Sequence, residues 1–223
     1  MKTKVFILSV SAILLLWICN SCSQEKKPAG QTSGEPGSES VVNEPETVLK
    51  LYGIKSGIIE YKHTGSRTGT SIMYFDNYGH RSANYSDLIM NNQVDKGWVV
   101  SFDEMQYMFK EGINQGTKMK NPMIEALKEV NDLEKFTEET YAKLGFQPAG
   151  TESYLGKECR VFKGNMGKVL SWNGILMYME MNAGVMTYKQ EATKIKVNVP
   201  VKASYFQLPE DVTFSEISMF QTR

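Results

Sequence analysis

Few residues in this chain have types and spacing that could do chemistry. His63 and His80 are its two histidines. They are far apart, with no cysteine or carboxylate cluster at ligand spacing, whereas a zinc centre takes three or four ligands. Both read as structural or surface side chains. Asp103-Glu104 is a carboxylate pair of the sort that glycoside hydrolysis uses. It sits at a tight turn between two apolar runs, where such residues are solvated. The sequence holds no G-x-S-x-G, no P-loop and no Ser-His-Asp order in turn context. Of three cysteines, Cys19 and Cys22 belong to a leader. Cys159 is thus left alone, makes no internal disulfide framework and reads as a buried, inert thiol. The expectation is a protein that is not an enzyme and carries neither metal nor cofactor.

The unusual feature is softness. Methionine occurs 13 times, and Met73, Met105, Met108, Met119, Met123, Met177, Met179, Met181 and Met186 lie in the folded part. Methionine fills irregular cores, and it also suits surfaces that adapt to variable apolar ligands. Both readings stand at this level. On the second, Tyr74, Trp98, Met105, Met108, Met123, Leu127, Trp172, Met177 and Met179 line an apolar-ligand pocket between a sheet and helices.

The elements that position these residues follow from periodicity. Asn173-Gly174 separates two alternating apolar runs over 168–172 and 175–181. Asn-Gly supplies the two positive φ values of a type I′ hairpin turn. Further strands are expected over 57–63, 71–76, 81–90, 98–102, 105–109, 152–154, 158–162 and 185–199. Turn signals recur at the spacing of an antiparallel meander. In the last run Ile195, Val197 and Val199 share one face, and Lys194, Lys196 and Asn198 the other. Between the strand groups the period changes. Asn121 caps a helix with Pro122 at its first position, and Met123, Leu127 and Val130 fall at helical spacing. A second helix is expected from near Thr137 to Leu144, with Gly145 ending it. The segment Phe206-Gln-Leu-Pro209 reads as a loop folding back onto the sheet.

The N-terminus reads as a leader. Lys2 and Lys4 precede an apolar run over 5–18, too short for an ordinary membrane span. Asn20-Ser21-Cys22 resembles the lipobox of bacterial lipoproteins, with Cys22 as the acylated residue; an ordinary soluble secretory signal is the alternative. Residues 22–48 are rich in Gly, Ser, Pro and Glu and read as a flexible tether. The expected organisation is a lipoprotein signal peptide over 1–21, a tether over 22–48 and one domain over 49–223. A formal net charge of +0 and a pI near 6.8 argue against a nucleic-acid partner, which needs a basic surface.

A tethered lipoprotein with antiparallel strands, two inserted helices, more strands and a closing F-x-L-P segment resembles the LolA/LolB-like superfamily of envelope proteins, and within it the Bacteroidetes-type lipoproteins. Trp98-Val-Val-Ser-Phe-Asp103, Ser171-Trp-Asn-Gly-Ile175, Glu191-Ala-Thr-Lys-Ile195 and Phe206-Gln-Leu-Pro209 carry the likeness. It implies an α+β fold, a curved antiparallel half-barrel sheet capped by two or more short helices. It also implies a lipid-sized apolar cavity. The expected function is that of a lipid-anchored cell-envelope protein, at the outer membrane, which binds a lipid or acyl chain; a role in carrying lipids or lipoproteins would rest on the resemblance alone. The alternative is an interaction or structural module docking onto an envelope partner.

Overall fold

The computed structural model of the protein describes residues 49–184 and 186–217. The leader, Cys22 and the tether lie outside the described residues. The described residues from Lys50 onward form one compact unit.

Twelve strands make a single curved, unclosed sheet. β1 (Gly57–Gly65), β2 (Thr68–Asp76), β3 (Arg81–Met90), β4 (Gln93–Phe102), β5 (Met105–Lys110) and β6 (Gln115–Lys120) run as an antiparallel meander. β7 (Gln147–Tyr154), β8 (Lys157–Gly164), β9 (Gly167–Trp172), β10 (Ile175–Ala183) and β11 (Met186–Val197) form a second meander. β11 returns to pair with β1 and joins the two halves. β12 (Thr213–Glu216) adds to the edge of β6 in parallel, the one departure from the antiparallel pattern among the described strands.

This order explains where the helices go. β6 lies near one edge of the sheet and β7 at the other. The chain between them must cross the whole sheet on one face, and it does so as α1 (Pro122–Val130) and α2 (Leu133–Lys143). Asn121 Oδ1 accepts from the Met123 N–H at 3.0 Å to start α1. Asp132 Oδ1 caps the Lys135 N–H at 2.8 Å to start α2. The second helix therefore begins at Leu133 rather than near Thr137. A side-chain cap at Asp132 outweighs the milder pull of Glu138 and Glu139 on the helix dipole.

The hairpins owe their geometry to residues that tolerate positive φ. Asn173 and Gly174 take φ +51° and +77°, the type I′ pair expected of Asn-Gly. Asn91-Asn92 and Asp103-Glu104 do the same between β3–β4 and β4–β5. Glu104 also makes an exposed ion pair with Lys128 of α1 at 2.7 Å, whose hydrogen bond holds its carboxyl below the usual range. Asp103-Glu104 is thus a solvated turn. Cys159 is fully buried on β8, and burial pushes its thiol up.

The two faces of the sheet are both covered, by different things. Period-two alternation carried across the register puts Met179, Gln190, His63, Gly69, Leu88 and Asp95 in one row. A second row on that face holds Ile59, Met73, Asn84, Val99 and Met108. α2 packs on this side: Tyr141 meets Phe162 at 4.8 Å between ring centroids, and Phe162 shares a row with Val169 and Met179. We call it the helix face. On the outer face Tyr74, Ala83, Val100 and Trp98 pack under a 3-10 turn over Ala203–Phe206. Tyr205 stacks on Tyr74 at 3.9 Å, so the closing segment does fold back onto the sheet.

Candidate functional site

The helix face is held at three places. One strand end is crossed by residues 51–55. There Gly53 N–H donates to the Asn173 carbonyl at 2.9 Å and Tyr52 N–H to the Tyr78 carbonyl at 3.0 Å. Tyr52 lies edge-on to Phe75 at 4.9 Å. The middle is spanned by α2, whose Glu138 pairs with Arg160 of β8. The other strand end is closed by the β1–β2 turn, Gly65-Ser66-Arg67-Thr68, where Ser66 N–H donates to the Thr187 carbonyl at 2.7 Å. Gly65 and Gly69 flank Arg67 with φ +94° and +134°.

That turn delivers Arg67 onto the helix face beside His63, Tyr188 and Asp95. Arg67 is only 3% exposed. Its Nε and Nη2 have no hydrogen-bond partner among the described residues. Burial works against its charge, while Tyr188 and Asp95 favour it. Asp95 is itself engaged by Lys110 at 2.7 Å.

His63 is fully bonded. Its Nδ1 lies 2.9 Å from the Tyr188 hydroxyl and its Nε2 2.8 Å from Ser71 Oγ. The Tyr188 hydroxyl gives its only proton to Gln190 Oε1 at 2.8 Å. It must therefore accept from His63 Nδ1–H, which leaves Nε2 to accept from Ser71. This neutral tautomer is the stable one: burial, and then the Arg67 charge, lower His63 from 6.5 to about 4. Burial likewise raises Tyr52 and Tyr188 to about 12 and holds Tyr61 well above its ordinary value. The helix face thus carries neutral hydroxyls and an uncharged imidazole around one buried cation.

A pH dependence follows. Above pH 6.5 His63 is neutral in both the folded and the unfolded chain. Between 6.5 and about 4 only the unfolded chain takes up the proton, so stability falls as pH falls, by on the order of 3 kcal/mol at the limit. Urea midpoints at pH 7 and pH 4.5 check this. His63→Gln should lose distinctly less stability between the two than the parent; equal losses would show that His63 does not drive the acid sensitivity.

The expected lining residues divide between the two faces. Met108 and Met179 stand on the helix face, with the buried Met177 beside Tyr61 and Ala192. Tyr74, Trp98 and Met105 stand on the outer face, in register with Ala83, Val100 and Phe102. Trp172 pairs with the buried Ile175 and packs, half-buried, against the core cluster that includes Met177, with Lys157 Nζ 4.8 Å from its ring. On α1, Leu127 is buried and Met123 half-buried. The structure therefore brings Met108, Met177 and Met179 to one face, separates them from Tyr74, Trp98 and Met105, and packs Trp172 against the cluster that holds Met177. Sequence reasoning missed Arg67 and Asn84 on the helix face, while His63, read as structural or surface, is a buried structural side chain there. The glycines flanking Arg67 were the available signal.

Elsewhere, a shallow recess of about 360 Å³ lies at the far end of β1 and β2, lined by Lys55, Asp76, Asn77, Arg81, Val199 and Pro200. None of the expected apolar residues borders it. Among the described residues no three of His, Cys, Asp and Glu come together as a metal site. No helix among them is long and apolar enough to cross a membrane.

No protein-family model matches this chain, and no curated protein matches it. Solved structures do. An uncharacterized conserved protein from Thermus thermophilus superposes with a TM-score of 0.50 at 7% identity, covering 76% of this chain and 94% of that one. A chain of the Pseudomonas aeruginosa MucA/MucB complex gives 0.41 at 8% identity, covering 73% and 58%. LprF from Mycobacterium bovis gives 0.35 at 9% identity, covering 73% and 92%. At 7% identity the Thermus protein shares the fold alone; the two weaker superpositions add nothing to that. The half-barrel capped by helices is the architecture that the LolA/LolB-like resemblance implies.

Proposed function

We propose that this is a non-enzymatic, lipid-anchored envelope protein that holds an amphipathic ligand, a lipid or acyl chain, on the helix face of its half-barrel. One observation carries this reading. The buried polar atoms without a partner include Arg67 Nε and Nη2, Asn84 Oδ1 and Arg160 Nη1, and each of these residues belongs to the helix face. A buried polar group left unpaired costs roughly 1–3 kcal/mol, and native interiors leave few of them. A ligand that lays its polar head against such a face would satisfy them. Between them Met73, Val99 and Met108 are only half-buried and offer a soft apolar path.

In this reading the signal peptide is removed before Cys22, the acylated Cys22 anchors the chain at the outer membrane, and residues up to 48 tether the domain in water. Carriage of lipids or lipoproteins is the role that the LolA/LolB-like resemblance suggests for such a face. Met105 and Met108 provide the test, because they sit on one short strand, both half-buried and on opposite faces. Oleate binding to the full chain should weaken by more than about tenfold in Met108→Glu and stay within about threefold in Met105→Glu, since a carboxylate against an acyl chain loses its hydration. Equal effects would refute a helix-face site. Failure of the parent protein to bind oleate would leave the other reading, docking onto an envelope partner.

A further inference from the structure

The helix face has a polar end, and its chemistry is specific. Arg67 is 3% exposed, with Nε and Nη2 unpartnered among the described residues. These two nitrogens form one edge of the guanidinium, and their N–H bonds run parallel. Elsewhere in this molecule the same edge grips a carboxylate: Arg81 donates from Nε to Asp76 Oδ1 at 2.7 Å and from Nη2 to Asp76 Oδ2. At Arg67 the same fork is buried without a partner, and no carboxylate among the described residues forms an ion pair with it. Asp95 favours the Arg67 charge from a distance but forms its ion pair with Lys110. Nearby, the Tyr188 and Ser71 protons are already given to Gln190 and to the neutral His63 imidazole, so the hydrogen bonds to an anion come from Arg67 itself.

The position is built. Gly65 and Gly69 leave no room for a side chain, with a Cβ falling 2.3 Å from the Thr187 carbonyl oxygen and 2.2 Å from the Asp87 carbonyl oxygen. The turn is therefore clamped between β11 and β3, and Arg67 is not a wandering surface arginine. From the level of Gly69, β2 runs along the helix face past Ser71 and Met73 to Phe75, roughly 20 Å of strand.

We infer that Arg67 is the anchor for the oxyanion head, carboxylate or phosphate, of an amphiphile whose apolar tail lies along the helix face toward Met73 and Met108. A planar fork matches such a head bidentately, which an ammonium cannot do. This rests on the ligand reading above and adds to it the sign and shape of the head group.

Three probes and two variants of the full chain test it: oleate has tail and anion, oleyl alcohol the tail alone, inorganic phosphate the anion alone. The parent protein should bind oleate at least about tenfold more tightly than oleyl alcohol. Arg67→Gln should bring the two together while leaving the affinity for the alcohol unchanged. Arg67→Lys, which keeps the charge and loses the fork, should lose most of the preference, and it serves if Arg67→Gln does not fold. No preference in the parent, or a preference retained in both variants, overturns the proposal. If neither oleate nor the alcohol binds, the ligand reading has failed. Phosphate then decides the anchor alone: a rise in Tm with millimolar phosphate in the parent and not in the variants sustains an anion site, and no rise overturns that as well.

Discussion

Gly65→Ala destabilises the domain by on the order of 3 kcal/mol and displaces Arg67. The residue takes φ +94°, where an L side chain is strained by about 1–3 kcal/mol. The new methyl would also stand 2.3 Å from the Thr187 carbonyl oxygen and 2.8 Å from its carbon. Both are backbone atoms of the neighbouring strand and cannot rotate away. Relief requires the turn to lift, and lifting it breaks the Ser66 N–H bond to the same carbonyl, worth about 1 kcal/mol more. Urea unfolding measures the loss. A change below about 1 kcal/mol would mean that the turn is free to move and that Arg67 is not held in place.

Phe162→Ala has the second large effect, about 3–5 kcal/mol. Phe162 is fully buried on β8, with Val169 fully buried beside it and Met179 5% exposed. Its ring meets Tyr141 of α2 at 4.8 Å. Truncation opens a cavity where helix meets sheet, so the loss is felt on both. Hydrogen exchange should show α2 losing protection more than β2 and β3, which lie across the sheet. A uniform loss, or one under about 1 kcal/mol, would mean that α2 is not seated on Phe162.

The fold was legible wherever local chemistry leaves one choice. Asn173-Gly174 has a single favourable turn, and Asn121-Pro122 a single favourable start. β6 and β12 were not legible. QGTKMK and TFSE are short, polar edge segments without alternation, and their pairing is set by the neighbour they lie against. The site was half legible, for a physical reason. Alternation already separates Met105 from Met108, but period two does not say which set the helices will cover. Here both faces are apolar, because the 3-10 turn over Ala203–Phe206 covers the outer one. Tyr74 and Trp98 therefore look like pocket lining in sequence and pack under Tyr205 and Phe206 in the fold. Arg67 was invisible. An arginine in a Gly-Ser-Arg-Thr-Gly turn reads as solvated, and the turn that carries it is clamped between β11 and β3.

The most direct test of the central claim, that the helix face holds an amphiphile, is native mass spectrometry of the full chain purified from cells, with an organic extract analysed in parallel. An adduct of lipid or fatty-acid mass, anionic in the extract, is expected in the parent and in Met105→Glu and should be lost in Met108→Glu. A clean apo mass that stays unchanged after incubation with oleate and with phospholipid would contradict it.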